Sequence, residues 1–123
     1  MTAMEDIKRI EVDDFWADST VVEAGGFVFV GYCMSNEGQD IRAQIAGAFD
    51  VLEERLAMAG LTLGDVVKMD CLFRDIQDIH CLADIIREKF PGRYPARKAF
   101  ETRFLREGIL FQVDAIACKP TAP

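Results

Sequence analysis

Arg97 is the residue of this chain best suited to binding a small anion. It closes the segment Phe90–Arg97, FPGRYPAR, in which two prolines and a glycine end any preceding helix. An extended segment begins directly after it, which puts the guanidinium at the start of a strand. Its fixed fork of N–H donors matches the two oxygens of a carboxylate. Arg97 is therefore a candidate carboxylate-binding residue, and an ordinary surface arginine beside a turn is the alternative.

The cysteines and the histidine point to no metal or nucleophile site. Cys33, Cys71, Cys81 and Cys118 show no C-x-x-C spacing, and each lies in or beside an apolar segment. We expect reduced, buried thiols rather than disulfides or zinc ligands. His80 is the single histidine, which argues against a Ser-His-Asp site or a centre with several histidine ligands. A structural role for His80 is favoured over metal binding.

Length and charge exclude several classes of function. The 123 residues fit one domain, residues 1–123, and half of them are apolar, as in a packed protein. The net charge of −7 argues against a generic nucleic-acid binder, which normally carries a basic face. The polar start Met1–Asp6 and the short apolar run Phe27–Val30 predict neither a secretion signal nor a membrane span. A cytoplasmic protein is expected.

The elements that must position Arg97 follow from hydrophobic periodicity. It predicts a β-β-β-α-β-α-β-β order, an α+β fold with both helices on one face of a mixed sheet. Gly25-Gly26 is expected to join two strands in a tight turn, Asp40 to cap the first helix and Gly60 to stop it. The strands are predicted at Ile7–Val12, Val21–Ala24, Phe27–Cys33, Val66–Phe73, Arg97–Phe104 and Ile109–Cys118, and the helices around 41–56 and 79–90.

One face of that sheet is left without helices. On the last strand, side chains alternate between the two faces. The set expected under the helices is apolar: Phe111, Val113, Ala115 and Ala117. The set expected on the open face is mixed: Leu110, Gln112, Asp114 and Ile116. On the strand before it, the more apolar set is again expected under the helices: Phe100, Thr102 and Phe104. The open face is expected to carry Arg97, Ala99, Glu101 and Arg103. The mixed face is typical of a surface shared between subunits, with a solvated face as the alternative.

Five segments at matching spacing carry a family resemblance. They read FVFVG, AGLTLGDVVK, FRDI, YPAR and VDAIA, and they span about Phe27–Ala117. With them the chain resembles the reactive intermediate deaminase family, RidA/YjgF, also called endoribonuclease L-PSP. The resemblance implies a chorismate-mutase-like fold and a homotrimer whose sheets form a central barrel, with clefts between neighbouring subunits. It also implies cofactor-free hydrolysis of enamine or imine acids, such as 2-aminoacrylate and 2-iminopropanoate, to keto acid and ammonia.

The resemblance assigns roles to residues of the cleft. It implies that Arg97 holds the substrate carboxylate, that the backbone of Gly31 helps to bind the ligand, and that the backbone near Ala99 lies in the same cleft. An aromatic residue of the N-terminal segment walls the cleft in the family, and Trp16 or Phe15 fits that role. Tyr32, directly after Gly31, is a candidate wall or lid residue, with an interface role as the alternative.

Of the positions that depart from the family pattern, one bears directly on catalysis. Where the deaminating members carry an acid–base glutamate on the last strand, this chain has Gln112, whose amide cannot accept a proton at neutral pH. Asp114, on the same face of the strand, and Glu101, expected on the adjacent strand, are the candidate replacements. Two readings follow: a deaminase, or a trimer that binds a small acid with little or no catalysis. A ribonuclease role is the weakest, given the acidic charge and the single histidine.

Overall fold

Six strands and two α-helices follow one another in the predicted order. The computed structural model describes residues 6–120. Short 3-10 turns precede the fourth strand and the second helix. The elements are β1 (Lys8–Asp13), β2 (Asp18–Ala24), β3 (Phe27–Cys33), α1 (Ile41–Ala57), β4 (Val66–Phe73), α2 (Ile79–Lys89), β5 (Ala96–Glu101) and β6 (Phe111–Cys118).

The strands form one mixed sheet in the order β1-β2-β3-β6-β4-β5. All neighbours are antiparallel except β4 and β5, which run parallel because α2 returns the chain to the same end of the sheet. The last strand therefore lies in the middle, between β3 and β4. The expectation that the strand carrying Glu101 adjoins the last strand is wrong, since β4 separates β5 from β6.

The turns and caps foreseen in the sequence are present. Gly25 and Gly26 have φ values of 60° and 83°, which suit the type I′ turn that joins β2 to β3. The Asp40 side chain accepts a hydrogen bond of 2.9 Å from the Ala43 amide and so caps α1. Gly60, at φ 75°, ends the turn that follows the helix.

A single core lies between the sheet and the two helices. The apolar stripe of α1 is fully buried at Ile45, Phe49, Leu52 and Leu56. The ring of Phe49 meets that of Phe111 on β6 at a centroid distance of 6.2 Å, so α1 packs over the centre of the sheet. From α2, the core receives Leu82, Ile85 and Ile86.

The two faces of β6 are as predicted, but those of β5 are reversed. On β5, Arg97 and Ala99 pair with Met69 and Cys71 of β4, which are buried under the helices. Phe100 therefore faces the open side, where 40% of it is exposed. The strand also ends at Glu101 rather than at Phe104. The prediction assumed that the more apolar set of β5 faces the helices. This assumption fails because β5 is an edge strand next to a short helix, which leaves room for polar side chains beside the core.

Two further expectations concern thiols and membranes. All four cysteines are free, but only Cys33 and Cys71 are buried, while Cys81 is partly buried and Cys118 is exposed at the end of β6. The expectation that all four thiols are buried is therefore wrong. Neither α1 nor α2, the α-helices of residues 6–120, combines the length and apolarity that crossing a bilayer requires.

Candidate active site

A cavity of about 340 Å³ opens on the helix-free side of the sheet. Its floor comes from β3, β4 and β6, and its wall comes from the irregular segment between β5 and β6. Most of its lining is apolar, with three aromatic rings. The lining residues are Trp16, Tyr32, Met34, Leu72, Thr102, Arg103, Phe104, Leu105, Arg106, Ile109 and Gln112.

Three of the predicted site residues meet in this cavity. Trp16 comes from the turn between β1 and β2, Tyr32 from the end of β3, and Gln112 from β6. The Gln112 amide Nε2 donates to the Met34 sulfur at 3.4 Å, a weak partner that leaves the amide available to a ligand or a water. The cavity thus combines an aromatic wall with one neutral hydrogen-bonding group.

Gln44, which is fully buried, holds the wall of the cavity in place. Its Nε2 donates to the Gly108 carbonyl at 2.8 Å and to the Gln39 carbonyl at 2.9 Å. Its Oε1 accepts from the Leu110 amide at 2.8 Å. One buried side chain of α1 therefore bonds to three main-chain groups and ties the segment before β6 to the helix.

Arg74 supports the same wall from the end of β4. Its Nε donates to the Ile109 carbonyl at 2.9 Å and a terminal nitrogen donates to the Arg106 carbonyl at 2.8 Å. The guanidinium also lies 5.6 Å from the centre of the Phe104 ring, a cation–π contact. The wall is irregular in backbone conformation but fixed by these contacts.

Arg97 lies on the opposite face of the sheet from Gln112. It lines a separate cavity of about 390 Å³, beside α2, with Met69, Ile86 and Tyr94 among its neighbours. Ala99 lies on the same face as Arg97, two residues further along the edge strand. Within this chain, the structure therefore brings Arg97 and Ala99 to one side and Trp16, Tyr32 and Gln112 to the other.

Gly31 lies at an irregularity in the sheet next to Tyr32. The pairing of β3 with β6 shifts between Val30 and Cys33, and Arg55 of α1 donates a short hydrogen bond to the Tyr32 carbonyl there. Gly31 lines a small cavity of about 150 Å³ that shares Tyr32 with the larger one. Gly31 is thus adjacent to the candidate site through Tyr32 rather than part of its lining.

Asp114 lies on the open face directly opposite Asp70 of β4. Burial, and then the charge of Asp70, raises the pKa of the Asp114 carboxyl. The Asp70 Oδ1 is buried without a hydrogen-bond partner among the described residues; the Lys68 ammonium, 3.4 Å away, pairs with it only by charge. Glu101 is engaged elsewhere, accepting from the Ile76 amide at 3.1 Å on the helix face.

Sequence reasoning missed the apolar wall of the site: Met34, Leu72, Phe104 and Leu105. Leu105 is 83% exposed, and a large apolar residue within a polar turn was the one available signal for it. Phe104 had been placed under the helices, and nothing in the pattern separated Leu72 from core residues of β4. Within residues 6–120, no three His, Cys, Asp or Glu side chains are grouped as metal ligands.

Comparison with known proteins gives a consistent result. Residues 15–119 match the family model described as endoribonuclease L-PSP. A RutC family protein of Pyrococcus horikoshii is 28% identical over 108 residues, which cover 82% of this chain and 86% of that protein. The 2-iminobutanoate/2-iminopropanoate deaminase of Rattus norvegicus is 36% identical over 66 residues, 54% of this chain and 48% of that protein.

Solved structures agree with the fold. A YjgF family protein of Streptococcus pyogenes superimposes with a TM-score of 0.90 at 49% identity, covering 94% of this chain and 98% of that one. A YjgF family protein of Neisseria meningitidis has a TM-score of 0.87 at 24% identity, which supports the fold alone. The order of strands, the two helices and the match over most of the length therefore establish that this chain belongs to the RidA/YjgF family, described as endoribonuclease L-PSP.

Proposed function

We propose that this protein hydrolyses small imine or enamine acids, of the 2-iminopropanoate and 2-aminoacrylate type, to the keto acid and ammonia without a cofactor. One observation carries the proposal: Gln112, at the position of the family's acid–base residue, lines a cavity together with Trp16 and Tyr32. Family membership, and relatives named 2-iminobutanoate/2-iminopropanoate deaminase, support the class of reaction.

The complete cleft forms between two subunits of a homotrimer. Arg97 and Gln112 are on opposite faces of one sheet, so a site that uses both takes them from different subunits. The open face also exposes large apolar side chains, with Phe27 44%, Phe29 42% and Phe100 40% accessible. Covering that face with a second and third copy removes them from water.

In the proposed reaction, Arg97 holds the carboxylate bidentately and orients the imine carbon toward a water molecule. An enamine first becomes the imine by moving a proton from nitrogen to carbon. The water oxygen then bonds to the imine carbon while one water proton passes to nitrogen, and the C–N bond breaks as the hydroxyl proton also passes to nitrogen, which leaves the carbonyl and ammonia. The Gln112 amide accepts a hydrogen bond from the water and so positions it, but it cannot remove a proton.

Proton transfer is assigned to Asp114 or to solvent. Asp114 shares the face of Gln112, and two residues of a strand span only about 6.5 Å. The raised pKa of its carboxyl brings it closer to the pH range in which an acid–base group works well. The alternative function is a trimer that binds small carboxylic acids with little turnover, which the neutral amide of Gln112 favours.

The test generates 2-iminopropanoate from D-alanine with an amino-acid oxidase and follows its decay. We expect the wild-type protein to accelerate decay. Arg97→Ala is expected to lower kcat/KM about ten- to a hundredfold, the value of a charged hydrogen bond in a binding site. Arg93→Ala, an exposed arginine of the same loop, is the matched control. If wild type and Arg97→Ala accelerate decay equally, the assignment for these substrates is wrong.

A further inference from the structure

The cavity on the open face is large for the acids named above. Its volume of about 340 Å³ lies within the range of about 300–1,000 Å³ in which ligand pockets bury drug-sized molecules. 2-Iminopropanoate carries only a methyl group beyond its imine carbon and carboxylate. Such a ligand leaves most of the cavity to water, so the size of the cavity suits a longer side chain.

The chemistry of the lining points the same way. Trp16 and Leu105 are 58% and 83% exposed, so two large apolar side chains remain in contact with water around the cavity. An apolar group placed between them displaces that water, which is favourable in proportion to the apolar area covered. Met34, on the floor, has a flexible thioether that adapts to ligands of different shape.

The charged side chains that line the cavity favour a ligand with a negative charge. Among the described residues that line it, none is acidic, and two are arginines. Arg106 is engaged by Glu37, at 3.1 Å, whereas Arg103 has an exposed side chain. The lining therefore accepts an apolar group with a negative charge nearby and disfavours a cationic ligand.

The cavity is built to stay open. Arg74 contacts the Phe104 ring and holds the main chain on either side of the wall, and Gln44 fixes the same segment from α1. Aromatic walls held in this way present a formed surface, so a ligand gains contacts without ordering the wall first.

We propose that this cavity selects imine or enamine acids with a bulky apolar side chain, branched aliphatic or aromatic. The side chain lies between Trp16, Leu72, Phe104 and Leu105, while the reacting carbon lies at Gln112. This inference rests on the proposed function, because it concerns the substrate class of the same site. Each methylene of such a side chain adds about tenfold or more to discrimination in an apolar pocket.

Binding is measured first, independently of catalysis. Trp16 is the only tryptophan and lines the cavity, so its fluorescence reports occupancy. The probes are two unreactive product acids, pyruvate and 4-methyl-2-oxopentanoate. We expect the larger acid to bind the intact assembly at least about tenfold more tightly. Equal affinities, or tighter binding of pyruvate, overturn the inference whatever the protein catalyses.

Turnover is measured with imines that an amino-acid oxidase makes from D-alanine and D-leucine. The leucine-derived imine is expected to have the higher kcat/KM, by about tenfold or more. Equal values contradict the size preference and leave the deaminase function intact. Failure to hydrolyse either imine, with the binding preference present, refutes the deaminase function and supports the selection of bulky acids.

Leu105→Ala supplies the variant, since a side chain that is 83% exposed contributes little to folding. It is expected to weaken binding of 4-methyl-2-oxopentanoate about tenfold and to change pyruvate binding less than about twofold. Met58→Ala, an exposed apolar residue at the end of α1, is the matched control and leaves both unchanged. If Leu105→Ala weakens the binding of both acids equally, the proposed position of the ligand's apolar side chain beside Leu105 is wrong.

Discussion

Arg97 and Gln112 lie on opposite faces of one sheet, on strands that β4 separates. No rotation of either side chain joins them within a subunit, because the sheet and its core stand between them. A cleft that needs both residues thus depends on assembly. The proposed function can therefore be tested by mixing variants, without a structure of the assembly.

Mixed assemblies are expected to recover activity well above that of either parent. Arg97→Ala and Gln112→Leu subunits, each expected to be strongly impaired alone, are unfolded together in equal amounts and refolded. If each site takes Arg97 from one subunit and Gln112 from the next, about a quarter of the sites in random trimers carry both native residues. Recovery to about that fraction of wild-type activity supports a shared cleft. Complete absence of recovery, with mixing confirmed by mass spectrometry, contradicts it.

Gln112→Glu is expected to raise kcat on 2-iminopropanoate. A general acid–base group contributes about 10²–10⁴-fold, and the substitution restores one at the position where the family resemblance expects it. Gln77→Glu, an exposed glutamine elsewhere on the chain, adds the same charge as a control. If the wild-type rate is already high and Gln112→Glu does not raise it, another group transfers the proton. Asp114→Asn is then the next variant to measure.

Asp114→Asn is expected to stabilise the protein most at neutral pH. The pKa of Asp114 is raised, chiefly by burial and then by Asp70, so the folded state binds this proton more tightly than the unfolded chain. The contribution of Asp114 to the free energy of unfolding therefore falls as pH rises from about 4, the pKa of an unfolded aspartate, through the raised pKa of the folded state. The ammonium of Lys68 lowers the pKa of Asp114 and so moderates the effect, and Lys98 of β5 is paired with Asp70 on the same face.

The measurement compares Tm at pH 7 and at pH 4 for wild type and Asp114→Asn, at one protein concentration. The variant's advantage is expected to shrink toward pH 4, where the native carboxyl is protonated. Asp14→Asn, in the exposed turn after β1, serves as the control. An advantage that is the same at both pH values shows that charge on Asp114 is not its cause.

Gln44→Leu is expected to lower the free energy of unfolding by about 1–3 kcal/mol, because it removes three hydrogen bonds that a buried side chain makes to main-chain groups. The Gln39 carbonyl and the Leu110 amide lose this partner, while the Gly108 carbonyl keeps its bond from the Gly38 amide. Denaturant midpoints at a fixed concentration measure the loss. Gln39→Leu removes an exposed amide but keeps the carbonyl that Gln44 binds, and it should change stability little. Equal midpoints for Gln44→Leu and wild type contradict this account of the wall.

Much of the fold could be predicted because it depends on local signals. The glycines between β2 and β3, the capping Asp40 and the stripe on α1 each act within a few residues of themselves. The order of strands in the sheet depends on long-range pairing instead. Nothing in β6 specifies that it inserts between β3 and β4, and so Glu101 was expected on a neighbouring strand.

The candidate site was predicted in part for the same reason. Gln112 and Asp114 share a face because a strand alternates, which spacing alone shows. That Arg97 faces α2 follows from its pairing with Met69, a contact between strands that periodicity does not determine. The wall at Phe104 escaped prediction because the chain leaves the sheet after Glu101 and alternation no longer applies.

The wall of the cavity is held by its main chain. Gln44 and Arg74 bind carbonyls and an amide of residues 106–110, so these hydrogen bonds depend on the main chain of the wall and not on its side chains, apart from the contact of Arg74 with the Phe104 ring. Side chains there can therefore change in evolution without loosening the segment, and each change reshapes the cavity. Single substitutions in the wall can in this way adapt the cavity to ligands of different size and shape, on a scaffold that does not need to be rebuilt.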